Sequence, residues 1–108
     1  MARRSTDTLS DDYVKAVVDI LKRDYAPLHK KSKVESYRQN FASIRICVID
    51  PDFQGMNLSE RDERVWKILE RLPDEIQSQI TMLVLLTPKE TKTSLAYLEF
   101  SDPTPSGL

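Results

Sequence analysis

The fold turns on Ile44 to Leu72, IRICVIDPDFQGMNLSERDERVWKILERL. Ile44, Ile46 and Val48 alternate with Arg45, Cys47 and Ile49, the two-residue period of a strand with two distinct faces. Asp50-Pro51-Asp52 must end that strand, because proline has no N–H for the ladder. Phe53 and Gly55 then form a structural turn, and Asn57 or Ser59 can cap a helix; Asn57 and Glu60 have the spacing of a capping box. Leu58, Val65, Ile68, Leu69 and Leu72 recur at helical spacing and predict its buried face. Glu60/Arg64 and Glu63/Lys67 place acid before base at i, i+4, the favourable order. Four acids balance four bases from Ser59 to Leu72, so this helix reads as electrostatically self-satisfied, not as a phosphate-reading surface.

Upstream of the strand, residues 1–9 are polar and expected to be flexible. Ser10 is the expected N-cap of a first helix, with Asp11 and Asp12 at its positive end. Val14, Val17, Val18, Leu21 and Tyr25 outline its buried face, and Pro27 ends it. Leu28 to Ser32 is a basic loop holding His29, the only histidine; beside two lysines it reads as a solvent residue, since a metal needs converging ligands. Lys33 to Asn40, KVESYRQN, alternates weakly, as a strand with one wet face or at a sheet edge does. The brief gap before Ile44 implies an antiparallel hairpin.

Downstream, Pro73-Asp74-Glu75 opens a short third helix with Ile76 inward. Ile80 to Leu86, ITMLVLL, is nearly continuously apolar, the pattern of a central strand covered on both sides or lying against a partner. Thr87-Pro88-Lys89-Glu90 is a helix start, a capping box with proline at the first helical position; that last helix is expected to fade near Leu95 to Phe100. Residues 101–108, SDPTPSGL, read as a disordered tail. The expected architecture is α+β in the order α-β-β-α-α-β-α. Over residues 10–100 that predicts a three-stranded mixed sheet with helices packed on one face, an arrangement that resembles class II KH-like domains.

Composition narrows the function classes. A chain of 108 residues is one domain, and its 40% apolar content is ordinary for a globular fold. Cys47 is the only cysteine, which excludes an internal disulfide and a cysteine-based metal site. No apolar run approaches the roughly 20 residues that span a bilayer, and MARRST lacks the apolar run of a secretory signal, so a cytoplasmic, non-membrane protein is expected. With one imidazole, one thiol and two glycines there is no nucleophile elbow, zinc-ligand spacing or phosphate loop, so no enzyme and no cofactor are expected. Asp50 and Asp52 across a proline fall far short of a calcium loop and read as turn residues. The net charge of −1 hides an asymmetry: residues 22–45 hold seven basic against two acidic residues, and residues 46–108 hold six against eleven. A basic segment can attract nucleic acid or an acidic partner, but the GXXG loop that clamps RNA in KH domains is absent.

Three stretches resemble the BolA family. VESYRQN (Val34–Asn40) resembles an acidic-Ser-Tyr-Arg-His-Asn segment of some members. DFQGMNLSERDERVW (Asp52–Trp66) resembles the phenylalanine-x-glycine turn and the Arg-His-Arg helix that follows it, matching at Phe53, Gly55, Arg61 and Val65. MLVLLTPKE (Met82–Glu90) resembles the last strand and its Thr-Pro-x-Glu helix start. The resemblance implies a small non-enzymatic protein that pairs with monothiol glutaredoxins, often sharing a two-iron, two-sulfur cluster, with DNA binding in some members. The family's cluster ligands are an imidazole near the start of the last strand and a His or Cys between the first two strands. Here Thr81 stands at about the first position, and Gln39, Phe41 and Ser43 are offered at the second; Asp62 and Glu63 replace the histidine and second arginine of the helix. Cluster ligation in the family's usual manner is therefore not expected.

Two functions from different classes follow. One is a protein-interaction module, resting on the apolar strand Ile80–Leu86 and the neutral helix, with a homodimer through that strand or through the Lys33–Asn40 edge as one form of it. The other is a nucleic-acid-binding regulator. Its candidate surface, which a protein partner could share, is Lys30, Lys31, Lys33, Arg38, Arg61 and Arg64.

Overall fold

The computed structural model describes residues 2–103, with side chains from Asp12 onward. Its elements are α1 (Ala2–Asp24), β1 (Lys33–Asn40), β2 (Ser43–Ile49), α2 (Leu58–Leu69), α3 (Asp74–Gln77), β3 (Ile80–Leu86) and α4 (Leu95–Ser101). Short 3₁₀ turns at Ala26–Leu28, Pro51–Phe53 and Lys89–Lys92 join them. The chain is an α+β domain built on one three-stranded mixed sheet. The strand order is β1-β2-β3, with β1 antiparallel and β3 parallel to β2. None of the helices is long and apolar enough to cross a membrane, among the described residues.

The two faces of β2 each find a cover. Ile44, Ile46 and Val48 are fully buried with Val17, Leu21 and Tyr25 of the first helical region, Val65, Ile68 and Leu69 of α2, and Leu85 of β3. Each such aliphatic or aromatic side chain contributes about 1.5–3 kcal/mol on burial. On the other face Cys47 packs with Val84, Leu86 and Phe100. Helices therefore do not lie on one face alone. α4 covers the second face because β2 and β3 are apolar on both sides and need two covers. Two polar ties fasten it: Tyr37 donates its hydroxyl to the Phe100 carbonyl at 2.6 Å, and Arg45 pairs with Glu99 at 3.0 Å. Burial pushes the Cys47 thiol up to about 12, as befits an inert core residue.

Several boundaries depart from expectation. α1 begins well before Ser10, which lies inside the helix and does not cap it. Thr87 and Glu90 do make the reciprocal bonds of a capping box, Thr87 N–H to Glu90 Oε1 at 2.8 Å and Glu90 N–H to Thr87 Oγ1 at 3.3 Å. They open only the 3₁₀ turn Lys89–Lys92, and the α-helix starts afresh at Leu95 under a Ser94 cap. Where fading was expected, α4 runs. The tail expected at 101–108 starts on the last residue of α4, Ser101, and from residue 104 lies outside the described residues. Leu58, expected inward, is the first residue of α2 and is 71% exposed.

The Asn57–Glu60 capping box forms as its spacing predicts, with bonds of 2.8 and 2.9 Å. Gly55 precedes it at φ +83°, a left-handed conformation, with nothing within 4 Å of where a Cβ would stand. Gly55→Ala therefore meets backbone strain and no clash. Equilibrium urea unfolding should show a loss of about 1 kcal/mol.

Candidate functional site

The residues nominated by charge separate sharply once folded. Lys30, Lys31 and Lys33 are exposed, on the loop into β1 and its first residue. Arg38 is tied to the end of the hairpin: its Nη1 donates to the carbonyls of Asn40 and Phe41 and to Gln79 Oε1 at 2.9–3.1 Å, and its guanidinium lies 5.8 Å from the Tyr13 ring. Arg61 is 5% exposed and is no part of an open surface. It donates to Glu90 at 2.7 and 3.1 Å, to the Leu85 carbonyl at 3.0 Å and to the Met56 carbonyl at 3.1 Å, with the Phe53 ring beneath it at 5.5 Å. Arg64 turns inward beside the Tyr25 phenol, where its Nη1 is buried with no hydrogen-bond partner. Three lysines are what is left of the six-residue basic surface. Phe53 is fully buried and Gly55 sits in the turn, both as expected.

β3 pairs with β2 alone and is an edge strand, not the central one that its apolar run suggests. Asp50 N–H donates to the Leu86 carbonyl at 2.8 Å on the inner side. Backbone groups alternate sides along a strand, so those of Leu83 and Leu85 face outward. Arg61 takes the Leu85 carbonyl there, and among the described residues no strand takes Leu83. The strand carries neither a charged residue nor a proline that would blunt its edge. β1, the opposite edge, carries Lys33, Glu35 and Arg38 and is packed by α1.

At the start of this edge the positions that the family resemblance assigns to cluster ligands do converge. Ser43 Oγ donates to Gln39 Oε1 at 3.2 Å and shares a hydrogen bond with Thr81 Oγ1. Phe41, in the connecting turn, is 90% exposed. Two hydroxyls and an amide satisfy one another here, and none is a thiolate or imidazole of the kind that ligates iron in such clusters.

Sequence reasoning missed a polar cluster below the other end of β2. Asp50, 1% exposed, accepts the Tyr25 hydroxyl on Oδ2 at 2.5 Å and Asp52 N–H on Oδ1 at 2.9 Å. His29 stacks on the Tyr25 ring with centroids 4.2 Å apart, and its Nδ1 lies 2.7 Å from Asp52 Oδ2 and 3.3 Å from Asp50 Oδ2. Burial, then the bond to Asp50, raises the Tyr25 phenol well above its ordinary range, while Arg64 acts the other way. His29 is thus not a solvent residue, and Asp50 and Asp52 are more than turn formers. A signal was available. The hairpin pairs Lys33 with Ile49, so the loop before Lys33 runs alongside the turn after Ile49.

Comparisons of the chain with models of known protein families, with curated proteins and with solved structures find no match.

Proposed function

We propose that this chain is a non-enzymatic, BolA-like interaction module that binds a protein partner along the outer edge of β3. The observation that carries the reading is an edge strand, ITMLVLL, whose outer side meets no other strand among the described residues, with outward backbone groups at Leu83 and none of the charges that protect β1. An extended partner segment added there gains main-chain hydrogen bonds and takes its selectivity from side chains along the edge. The order of elements and the mixed sheet support the KH-like, BolA-like assignment. The Gln39–Ser43–Thr81 trio supports a module that does not ligate an iron–sulfur cluster in the family's manner. The nucleic-acid reading is left with Lys30, Lys31 and Lys33, since Arg38 and Arg61 hold structural bonds and Arg64 faces inward.

A photoreactive residue placed at exposed Thr81 tests the edge, with Lys15 on α1 as the control position. In native cell extract, crosslinking from Thr81 and not from Lys15 is expected. Hydrogen exchange of the reconstituted pair should then slow at Leu83. Crosslinks of equal yield from both positions, with exchange at Leu83 unchanged, would sink the reading. Addition of a holo monothiol glutaredoxin should leave its visible circular dichroism unaltered, whether or not the two proteins associate.

A further inference from the structure

We propose that His29, Asp50 and Asp52 form a binding site for a divalent transition-metal ion, with zinc the best match. The site does not depend on the β3 edge and lies at the opposite end of β2 from the Ser43–Thr81 contact.

The donor set is the first ground. His29 Nδ1 and one carboxylate oxygen from each aspartate lie within 4.8 Å of one another. An imidazole with two carboxylates suits zinc and its copper and nickel neighbours, whereas calcium and magnesium favour all-oxygen shells. The spacing is the second ground. Zinc holds its nitrogen and oxygen donors at about 2.0–2.2 Å, which at the tetrahedral angle sets neighbouring donors roughly 3.3 Å apart. His29 Nδ1 and Asp50 Oδ2 already stand at 3.3 Å. Nδ1 and Asp52 Oδ2, at 2.7 Å, must separate slightly. The Asp52 side chain is 55% exposed and can rotate, whereas Asp50 is fixed in the core.

The supports of the ligands are the third ground, and they set this cluster apart from a chance group of surface acids. The buried Tyr25 does two things at once: its hydroxyl orients the Asp50 carboxylate and its ring orients the imidazole. Such outer partners raise metal affinity by fixing the ligands. Asp50 is held further by Asp52 N–H, so the Pro51–Phe53 turn presents both carboxylates to one point. Three protein ligands leave a coordination position for solvent on the Asp52 side, the open side of the cluster.

Because His29 is the only histidine, its imidazole signals are unambiguous in an NMR spectrum of protein purified without a histidine tag. Zinc chloride titrated into the intact chain should shift those signals and saturate calorimetrically at one ion per chain. His29→Gln replaces the imidazole and Asp52→Asn removes the charge of the exposed carboxylate, and each should weaken binding at least about tenfold. Glu63→Gln, an exposed acid on α2, should change nothing. Asp50→Asn is a poorer probe because its side chain belongs to the core. No saturable binding up to millimolar zinc, or binding unmoved by both His29→Gln and Asp52→Asn, overturns the assignment.

Discussion

Arg61→Met should lower the unfolding free energy by about 3 kcal/mol at neutral pH. Methionine keeps much of the aliphatic stem but leaves the Leu85 and Met56 carbonyls without their donor in a position that is 5% exposed. Each orphaned buried group costs about 1–3 kcal/mol. The ion pair adds less, because the Glu90 side chain is 43% exposed and solvent screens it. The pH dependence separates the two parts. The Arg61 hydrogen bonds, with Thr87 N–H second, hold the Glu90 carboxyl down at about 2. A carboxyl depressed by folding contributes stability that is present above its ordinary range and lost as pH falls through its folded value. The gap between wild type and variant should therefore be constant from neutral pH down to about pH 5, then narrow towards pH 2. The carbonyls do not titrate, so more than half of the gap should persist. Urea unfolding of both proteins at pH 7 and pH 3 measures this; a gap under about 1 kcal/mol at pH 7 would return Arg61 to the surface role that its sequence context suggested.

Local rules read the fold well wherever neighbours in sequence decide the outcome. The Asn57–Glu60 box, the hairpin of β1 with β2, and the buried stripe Val65, Ile68, Leu69 and Leu72 all follow from short-range spacing. The position of β3 does not. A run apolar on both faces says that both faces are covered, and α4 and α2 do cover them, but it says nothing about the strand's two hydrogen-bonding sides. Those sides are set by strand order, a long-range property, so a run that reads as central can lie at an edge. Arg61 and Arg64 show the same limit in electrostatics. Counting charges along α2 pairs Glu60 with Arg64, yet Glu60 is consumed by the helix cap and Arg64 points at Tyr25. The His29 cluster was hidden for a related reason. Each member taken alone has the sequence of a loop or turn residue, and only the hairpin register carried round its open end brings the loop holding His29 to Asp50 and Asp52.

Phe53→Ala should be the most damaging single change in the turn, costing about 4 kcal/mol. The ring is fully buried in the main core, tilted against Tyr25 at 6.3 Å and capped by the Arg61 guanidinium at 5.5 Å. Truncation removes its transfer free energy and leaves a cavity whose walls are held apart by two anchored groups. Tyr25 is fixed by its bond to Asp50, and Arg61 by its bonds to Glu90 and to the Leu85 carbonyl. Walls that cannot collapse put the cost in the upper part of the range. Phe53→Leu, which fills most of the space, should cost under about 1.5 kcal/mol. Phe53 and Arg61 share a contact, so substitutions at the two should not add. A cycle of Phe53→Leu with Arg61→Met isolates the ring–guanidinium contact, with an expected coupling of about 0.5–1 kcal/mol. Measured by urea unfolding at pH 7, additivity within about 0.3 kcal/mol would mean that the ring supports Arg61 by volume alone, and that the polar bonds to Glu90 and the two carbonyls hold the guanidinium in place.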